Sequence, residues 1–280
     1  MLALLKRNFL LYFRNLSGVF FSLLGALISF ILYIIFLQKN LTDAWAQLPN
    51  SGPLLNNWLM SGTLAVTGIT TSLAALTQLV KDRERQVDRD LYLSNHGKWR
   101  LPSSYLASAI IISFAMQVLM YVLMCGYFRE VPALSLLPEV LLIMLLSSLL
   151  SSLVNAIFVH FFQSVDSLGK FATIVGTASG FLVGTYVPLG VLPNFAQLLM
   201  KSTPATYIAA LYRQVLMNET LSETFKGQDD LRQEFQEKMG VQLKWQELLT
   251  KENTYFIVLG GILLVGILWA VLVKKSSKKK

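Results

Sequence analysis

Residues 255–280 read YFIVLGGILLVGILWAVLVKKSSKKK, an uninterrupted apolar run followed by a cluster of lysines. A helix needs ~20 mostly apolar residues to cross the ~30 Å hydrocarbon core of a bilayer, because each residue adds about 1.5 Å. The run Tyr255–Val273 meets that length. Lysines directly after such a run are typical of an anchor on the water-exposed side of the membrane. The sequence therefore predicts a transmembrane helix here, with 274–280 as a basic tail.

The composition of the whole chain supports a membrane protein. Hydrophobic residues make up 54% of the 280 residues and charged residues only 14%, whereas a typical soluble domain carries about 25% charged residues. This balance argues against a soluble enzyme, a disordered chain and a collagen-like protein. The net charge of +8 comes largely from membrane-flanking positions, so nucleic-acid binding is not expected. A single cysteine, Cys125, cannot close an intramolecular disulfide.

Five further runs are long and apolar enough to span, which predicts an all-α integral membrane protein with six transmembrane helices. The first run carries Lys6, Arg7 and Arg14 before it, like a secretory signal, but its apolar core exceeds the ~7–15 residues of a signal peptide. We therefore expect it to be an uncleaved span. In chain order the five runs are Gly18–Leu37, Trp58–Val80, Ser103–Phe128, Leu137–Phe162 and Phe171–Val187.

The distribution of lysine and arginine predicts the orientation. With six spans, fifteen of these residues fall on the side of the two termini and nine on the other side. Seven of those nine lie in one long connection, and long translocated segments contribute little to orientation. The sequence thus predicts a multi-pass protein of the cell membrane with both termini in the cytoplasm.

Three segments outside the spans organise the predicted single transmembrane domain. Residues 1–17 alternate apolar residues with Lys6, Arg7 and Arg14 at helical spacing, which fits an amphipathic interface helix or a plain extension of the first span. Residues 81–101 form a charged cytoplasmic loop. Residues 188–253 form a long external segment, in which Leu231, Phe235 and Met239 with Gly240 predict an amphipathic helix and its C-cap.

Residue patterns typical of catalysis are missing from the sequence. His96 and His160 have no metal-ligand spacing, and Gly169-Lys170 lacks the rest of a Walker A loop. We therefore expect no enzyme activity, no metal and no cofactor in this chain. Ion-coupled carriers place ionisable groups within the bilayer, and here His160 is the one candidate. The polar residues Gln78, Gln117 and Asn155 fit interhelical hydrogen bonds or a polar path.

Glycine and proline mark the region of the fifth span. Gly169, Gly176, Gly180 and Gly184 fall on one helix face, where small residues allow close helix packing within the chain or in a dimer contact. The helix-breaking residues that follow predict an external re-entrant helical hairpin before the last span, roughly Leu189 to Ala210. They are Pro188, Gly190, Pro193 and Pro204.

Three stretches together resemble the membrane (permease) subunits of type-2 ABC exporters. They are KRNFLLYFRN at 6–15, KDRER at 81–85 with HGKW at 96–99, and YVPLGVLP at 186–193 with Pro204 and Tyr207. The resemblance covers nearly the whole chain and implies two cytoplasmic ATP-binding subunits, which hold ATP and magnesium. It also implies a second permease subunit, as a homodimer or a similar heterodimer. The stretch from Asn218 to Asn253 is longer than in many members of that family.

The resemblance also assigns roles to individual residues. The charged loop would hold the coupling helix that contacts the ATPase, rather than a solvated turn, through Glu84, Asp88, Leu91, Tyr92 and His96. The substrate path would use Phe20, Phe21, Phe30, Tyr33 and Tyr186. A hydrophobic or amphipathic export substrate (a drug, peptide or lipid-like molecule) is expected. The alternatives are a lipid-linked polysaccharide, a secondary carrier, and a membrane sensor or scaffold without transport.

Overall fold

The computed structural model describes residues 1–45, 51–93, 99–129 and 134–277. Within these residues the regular structure is helical, apart from an isolated β-bridge between Lys244 and Leu248. The predicted all-α class is confirmed. The α-helices are α1 (Leu2–Arg14), α2 (Leu16–Leu32), α3 (Gln38–Ala44), α4 (Ser51–Glu84), α5 (Val87–Leu93), α6 (Arg100–Phe128), α7 (Leu137–His160), α8 (Val165–Leu182), α9 (Asn194–Lys201), α10 (Pro204–Leu216), α11 (Asn218–Thr224), α12 (Asp229–Lys238) and α13 (Lys251–Ser277).

Among the described residues, five helical segments are long and apolar enough to cross a membrane. They correspond to the predicted first, second, third, fourth and sixth spans, and they make the chain a multi-pass membrane protein. The first is continuous through a π-helical turn at Tyr33–Leu37, which joins α2 to α3. The segments are Leu16–Ala44, Ser51–Glu84, Arg100–Phe128, Leu137–His160 and Lys251–Lys275.

The predicted fifth span differs from the structure in its position. The helix in this region, α8, begins and ends earlier than the predicted Phe171–Val187, so it includes Asp166 and Lys170. It begins there because the Ser164 hydroxyl accepts from the Ser167 amide, a typical N-cap. Asp166 and Lys170 lower the mean hydropathy of this helix, so α8 is not among the five segments that are apolar enough to span. The sixth crossing stays a prediction.

Helix α4 is the centre of the bundle. It packs against α2, α6, α7, α8 and α10, and 23 of its 34 residues are buried. Its many serines and threonines allow close approach of these neighbours. Ser61 and Thr67 donate to the carbonyl oxygens four residues earlier at 2.7 and 2.8 Å, so these buried hydroxyls are satisfied within the helix.

Polar side chains also join the helices to each other. The Gln117 amide on α6 donates to Ser148 of α7 at 2.7 Å and accepts from the Tyr212 hydroxyl of α10 at 2.8 Å. Asn155 of α7 donates to Ser72 of α4 at 2.8 Å. The interhelical role predicted for Gln117 and Asn155 is therefore present, because each of these amides finds its partners on a neighbouring helix.

A second apolar cluster covers the Ser51 end of α4. It joins the N-terminal residues of α4 to α11 and α12, and α12 is the amphipathic helix predicted from the sequence. Gly240, with φ of 65°, follows that helix at the position where a left-handed residue is favoured. The buried members are Tyr33, Trp45, Leu54, Leu55, Trp58, Leu59, Met217, Leu221, Phe225, Phe235, Met239 and Val241.

Candidate functional site

The chain turns sharply between α4 and α5. The Gln86 amide donates to the Arg83 carbonyl at 3.1 Å, and Gln86 has φ of 60°. A residue other than glycine rarely adopts this left-handed conformation, so it ends α4 and redirects the chain. The Arg89 amide then donates to the Gln86 carbonyl at 3.1 Å and starts α5. The short helix is therefore joined to the end of the central helix by one fixed turn.

Helix α5 has a buried side and an exposed side. Asp88 is buried, and Leu91 is half-buried against the main core. Arg89 and Asp90 are exposed, as are Glu84 and Arg85 just before the helix. Glu84, Arg85, Arg89 and Asp90 therefore form an exposed charged group at the end of α4 and on α5.

The predicted ATPase-contact residues occupy different environments in the structure. Glu84 is exposed, but Asp88 faces the protein. Tyr92 lies in α5, although the structure does not describe its side chain, and His96 lies outside the described residues. The sequence pattern missed Arg89 and Asp90, because helical spacing alone does not tell which side of a short helix lies against the bundle.

Asp82 in the last turn of α4 binds four donor groups. Arg7 of α1 donates from both terminal nitrogens, at 2.7 and 2.8 Å, in a bidentate ion pair. Gln78 donates to the same carboxylate at 2.8 Å, and the Tyr105 hydroxyl of α6 also donates to it. The Asp82 side chain is only 4% exposed, against 30% for Arg7. The predicted second span ended at Val80, so this buried carboxylate was not recognised from the sequence.

Helix α1 lies against the protein with Leu4 and Asn8, which are both buried. Asn8 donates to Ser108 of α6 at 3.3 Å, and the Tyr12 and Ser22 hydroxyls share a hydrogen bond of 2.6 Å. The opposite side exposes apolar residues, among them Leu2 and Leu10. Asn15 breaks the helix before α2, since its backbone is not helical. Helix α1 is therefore separate from α2, and its place at the membrane interface stays a prediction.

Arg83, the next residue of α4, binds the end of α7. Its guanidinium donates to the carbonyl oxygens of His160 and Phe162 at 3.2 and 2.6 Å. Carbonyl groups at a helix C-terminus lack partners within the helix and favour a cation. Arg83 thus fixes α4 to α7, and the His160 backbone takes part in this contact.

The five predicted path residues do not share one surface. Phe20 and Phe21 of α2 are exposed, whereas Tyr33 is buried and its hydroxyl donates to Asn56 at 3.3 Å. They differ because about 100° separates successive residues of a helix, so residues 20 and 33 face different sides. The two remaining residues pack on aromatic neighbours within the chain. The ring centres of Phe30 and Tyr127 are 5.1 Å apart, and those of Tyr186 and Phe181 are 4.8 Å apart.

The predicted glycine face is shorter than the sequence suggested. Helix α8 ends at Leu182, so Gly184 lies in the turn that follows, with φ of 68°. A side chain at Gly180 would overlap the Tyr186 ring of the same chain, whereas Gly176 has open space at that position. A Cβ at Gly25 of α2 would lie 3.2 Å from the Gly176 carbonyl, so α2 and α8 approach closely there.

The predicted hairpin residues mark three helix boundaries. Pro188 precedes a 3₁₀ turn at Leu189–Val191, Pro193 precedes α9, and Pro204 is the first residue of α10. Helices α9 and α10 are separated only by Ser202 and Thr203. The helices therefore begin where proline is favoured, since its missing amide is an unpaired donor at that position anyway.

Arg213 of α10 is fully buried and binds the ends of two helices. It donates to the carbonyls of Val183 and Gly184 at 2.9 Å each, after α8, and to that of Gly240 at 3.1 Å, after α12. Its guanidinium also lies 5.2 Å from the centre of the Trp58 ring. Among the residues that the structure describes, no carboxylate pairs with Arg213, so two helix C-termini and an aromatic face stabilise its charge.

The sequence model of the family described as "ABC-2 family transporter protein" matches residues 34–273. The chain belongs to this family. The recognition made from the N-terminal, loop and Pro/Gly stretches is therefore confirmed. No protein with curated annotation matches the chain.

As an ABC-2 family transporter protein, the chain is the permease, or membrane component, of an ABC transporter. The family implies association with an ATP-binding subunit and with the membrane. The turn from α4 to α5, the Asp82 cluster and the Arg83 contact lie next to each other in the chain. We treat these three features together as the candidate site at which the permease meets its ATP-binding partner.

Proposed function

We propose that this permease is the membrane subunit of an ATP-driven exporter. Two cytoplasmic ATP-binding subunits would hold ATP and magnesium, and a second permease subunit, identical or similar, would complete the membrane domain. ATP binding would move α5, and the permease halves would open a path between them. Hydrolysis would take place in the partner subunits, since the chain carries no Walker A loop.

The observation that supports this proposal best is the connection between α5 and the centre of the bundle. The Gln86 turn links a charged, exposed helix to α4, and α4 packs on most of the other long helices. A force applied to Arg89 and Asp90 would therefore reach α2, α6, α7 and α8 through one element. A solvated turn that only sets the topology would not need a buried Asp88 or a packed Leu91.

A hydrophobic or amphipathic substrate fits the exposed residues of α2. Phe20 and Phe21 lie on an uncharged helix and are 55% and 66% exposed. Such an aromatic surface suits a drug, peptide or lipid-like molecule better than the many hydroxyl groups of a polysaccharide, because apolar surface gains by leaving water. A comparison of export by the wild-type chain and by Phe20→Ser/Phe21→Ser would test this class.

Both termini and α5 are proposed to be cytoplasmic, with α12 outside the cell. In a Cys125→Ala background, a cysteine at Gln228, which is exposed next to α12, should react with an impermeant thiol reagent in intact cells. A cysteine at Arg85, exposed before α5, should react only after the cells are opened. Labelling of position 85 in intact cells, with protection of position 228, would contradict this orientation.

The coupling role of α5 predicts a loss of ATP hydrolysis in Leu91→Ala/Tyr92→Ala. We expect the complex with the ATP-binding subunit to hydrolyse ATP about tenfold more slowly, which corresponds to about 1.4 kcal/mol, because Leu91 packs α5 against the main core and its loss would loosen that connection. Measure hydrolysis by the purified complex in lipid, and the amount of ATP-binding subunit that co-purifies. The exposed pair Arg89→Ala/Asp90→Ala tests the same surface without removing the packed Leu91.

A matched control removes an aromatic residue and a leucine elsewhere. Phe256 and Leu263 of α13 are 73% and 68% exposed, so Phe256→Ala/Leu263→Ala should assemble and hydrolyse ATP like the wild type. If both α5 variants equal this control in co-purification and hydrolysis, α5 is not the coupling surface. The proposed transfer of motion from the ATP-binding subunit to the bundle through α5 would then be contradicted.

A further inference from the structure

We propose that Arg7 and Asp82 are a positioning pair that makes helix α1 a moving part of the coupling element. The inference rests on the proposed function, in which α5 receives the motion of the ATP-binding subunit. It adds that α1 moves with α4 and α5 as one unit and does not merely anchor the chain at the membrane surface.

The Asp82 carboxylate requires a cation at its position. A buried carboxylate is costly unless it is paired and fully hydrogen-bonded. Of its four donors, Arg7 alone carries a charge, while Gln78 and Tyr105 are neutral. The hydrogen bonds to Asp82 raise the pKa of Arg7, so its guanidinium stays charged at physiological pH. The pair is thus a permanent two-point contact between α1 and α4.

The location of the pair gives it a mechanical role. Asp82 and Arg83 are adjacent in the last turn of α4, and they bind α1, α6 and α7. The chain changes direction only after them, at Gln86. The last turn of α4 is therefore held on three sides, and a displacement of α5 is passed to these helices rather than absorbed by fraying of α4.

Helix α1 is built to move as a rigid body with this turn. Asn8 contacts Ser108 of α6 one helical turn from the Tyr105 contact, so α1 is bound to α6 as well as to α4. The break at Asn15 makes α1 a helix separate from α2, and the Tyr12–Ser22 hydrogen bond would pass its motion to the start of α2. The exposed apolar side of α1, with Leu2 and Leu10, allows it to slide in the membrane interface.

The test removes the charges singly and together, in the complex with the ATP-binding subunit. Arg7→Met leaves a buried carboxylate without a cation, and we expect a lower Tm and a loss of ATP hydrolysis. The variant Arg7→Met/Asp82→Asn removes both charges, so we expect its Tm and co-purification to return toward the wild type. Its ATP hydrolysis should remain below about one fifth of the wild-type rate. A stable complex with poor hydrolysis supports the proposal.

A purely structural ion pair gives a different result. In that case the neutral double variant recovers Tm and hydrolysis together, and the proposal is overturned. Arg7→Lys keeps the charge but loses the two-point contact, so we expect a stable complex with hydrolysis reduced two- to threefold. If the neutral double variant does not assemble, full hydrolysis by Arg7→Lys overturns the proposal, and reduced hydrolysis supports it.

Two comparisons separate this inference from the proposed function. Glu237→Gln/Lys244→Met removes a partly exposed ion pair of 3.0 Å at the end of α12 and should change neither Tm nor hydrolysis. Leu91→Ala/Tyr92→Ala is measured in the same assay. If Leu91→Ala/Tyr92→Ala hydrolyses ATP slowly while Arg7→Met/Asp82→Asn hydrolyses it at the wild-type rate, only the proposed role of α1 is contradicted. If both variants hydrolyse ATP at the wild-type rate, the coupling role of α5 and the role of α1 are both contradicted.

Discussion

Replacement of Arg213 by methionine should lower the free energy of unfolding by about 3 kcal/mol. The substitution keeps a long apolar side chain but leaves the carbonyls of Val183, Gly184 and Gly240 without their donor. Each buried acceptor without a partner costs about 1–3 kcal/mol, and the cation–π contact with Trp58 is also lost. Methionine also removes the cost of burying the guanidinium charge. We therefore expect the loss of unfolding free energy to be smaller than the sum of the lost contacts.

The measurement is thermal or denaturant unfolding of the purified permease in detergent. Arg14→Met is the matched control, because Arg14 is exposed at the end of α1 and should change stability by less than about 0.5 kcal/mol. The stability of Arg213→Lys should lie between that of Arg213→Met and that of Arg14→Met. One ammonium group cannot replace the planar guanidinium that reaches three carbonyls. Equal stability of Arg213→Met and the wild type would show that these contacts contribute nothing net.

Substitution of Gly190 by alanine should destabilise the contact between the 3₁₀ turn and α12. A Cβ at Gly190 would lie 2.6 Å from the Lys238 Cα and 3.1 Å from the Lys238 carbonyl oxygen. These are backbone atoms that cannot rotate away, so the end of α12 would have to shift. Overpacking of this kind typically costs about 1–3 kcal/mol. We expect a lower Tm and faster proteolysis within residues 218–253.

Gly126→Ala is the control for this prediction. Nothing lies within 4 Å of a Cβ at Gly126, which is in α6, so alanine there should be neutral or slightly stabilising. An unchanged Tm in Gly190→Ala, together with normal protease resistance of 218–253, would mean that the turn and α12 are not packed as described. The pair of variants therefore tests how residues 218–253 are held against the 3₁₀ turn.

Arg213 and Gly190 both hold α12 against the region that follows α8. Gly184 and Gly240 are both left-handed residues just past the ends of α8 and α12, and Arg213 joins these two ends. Gly190 lets α12 lie against the turn that follows α8. The stretch from Asn218 to Asn253 is thus integrated into the bundle through α10, α12 and Trp58.

The sequence by itself determined what depends on local composition. Uncharged runs of sufficient length located five membrane-crossing segments, and apolar residues at helical spacing with a following glycine located α12. The stretches around 6–15, 81–99 and 186–193 identified the family. These features could be predicted because hydrophobic length, amphipathic period and helix caps are properties of neighbouring residues.

Only the tertiary structure decided which residues meet. Arg7 and Asp82 are 75 residues apart, and the three carbonyls that bind Arg213 come from two connections, one after α8 and one after α12. Asp82, two residues after the apolar run that ends at Val80, was a signal, since a buried carboxylate there needs a cation from another part of the chain. Which residue supplies that cation, and which side of α5 is exposed, depends on how the helices pack. Interhelical contacts of this kind are set by three-dimensional neighbours, and no local pattern in the chain encodes them.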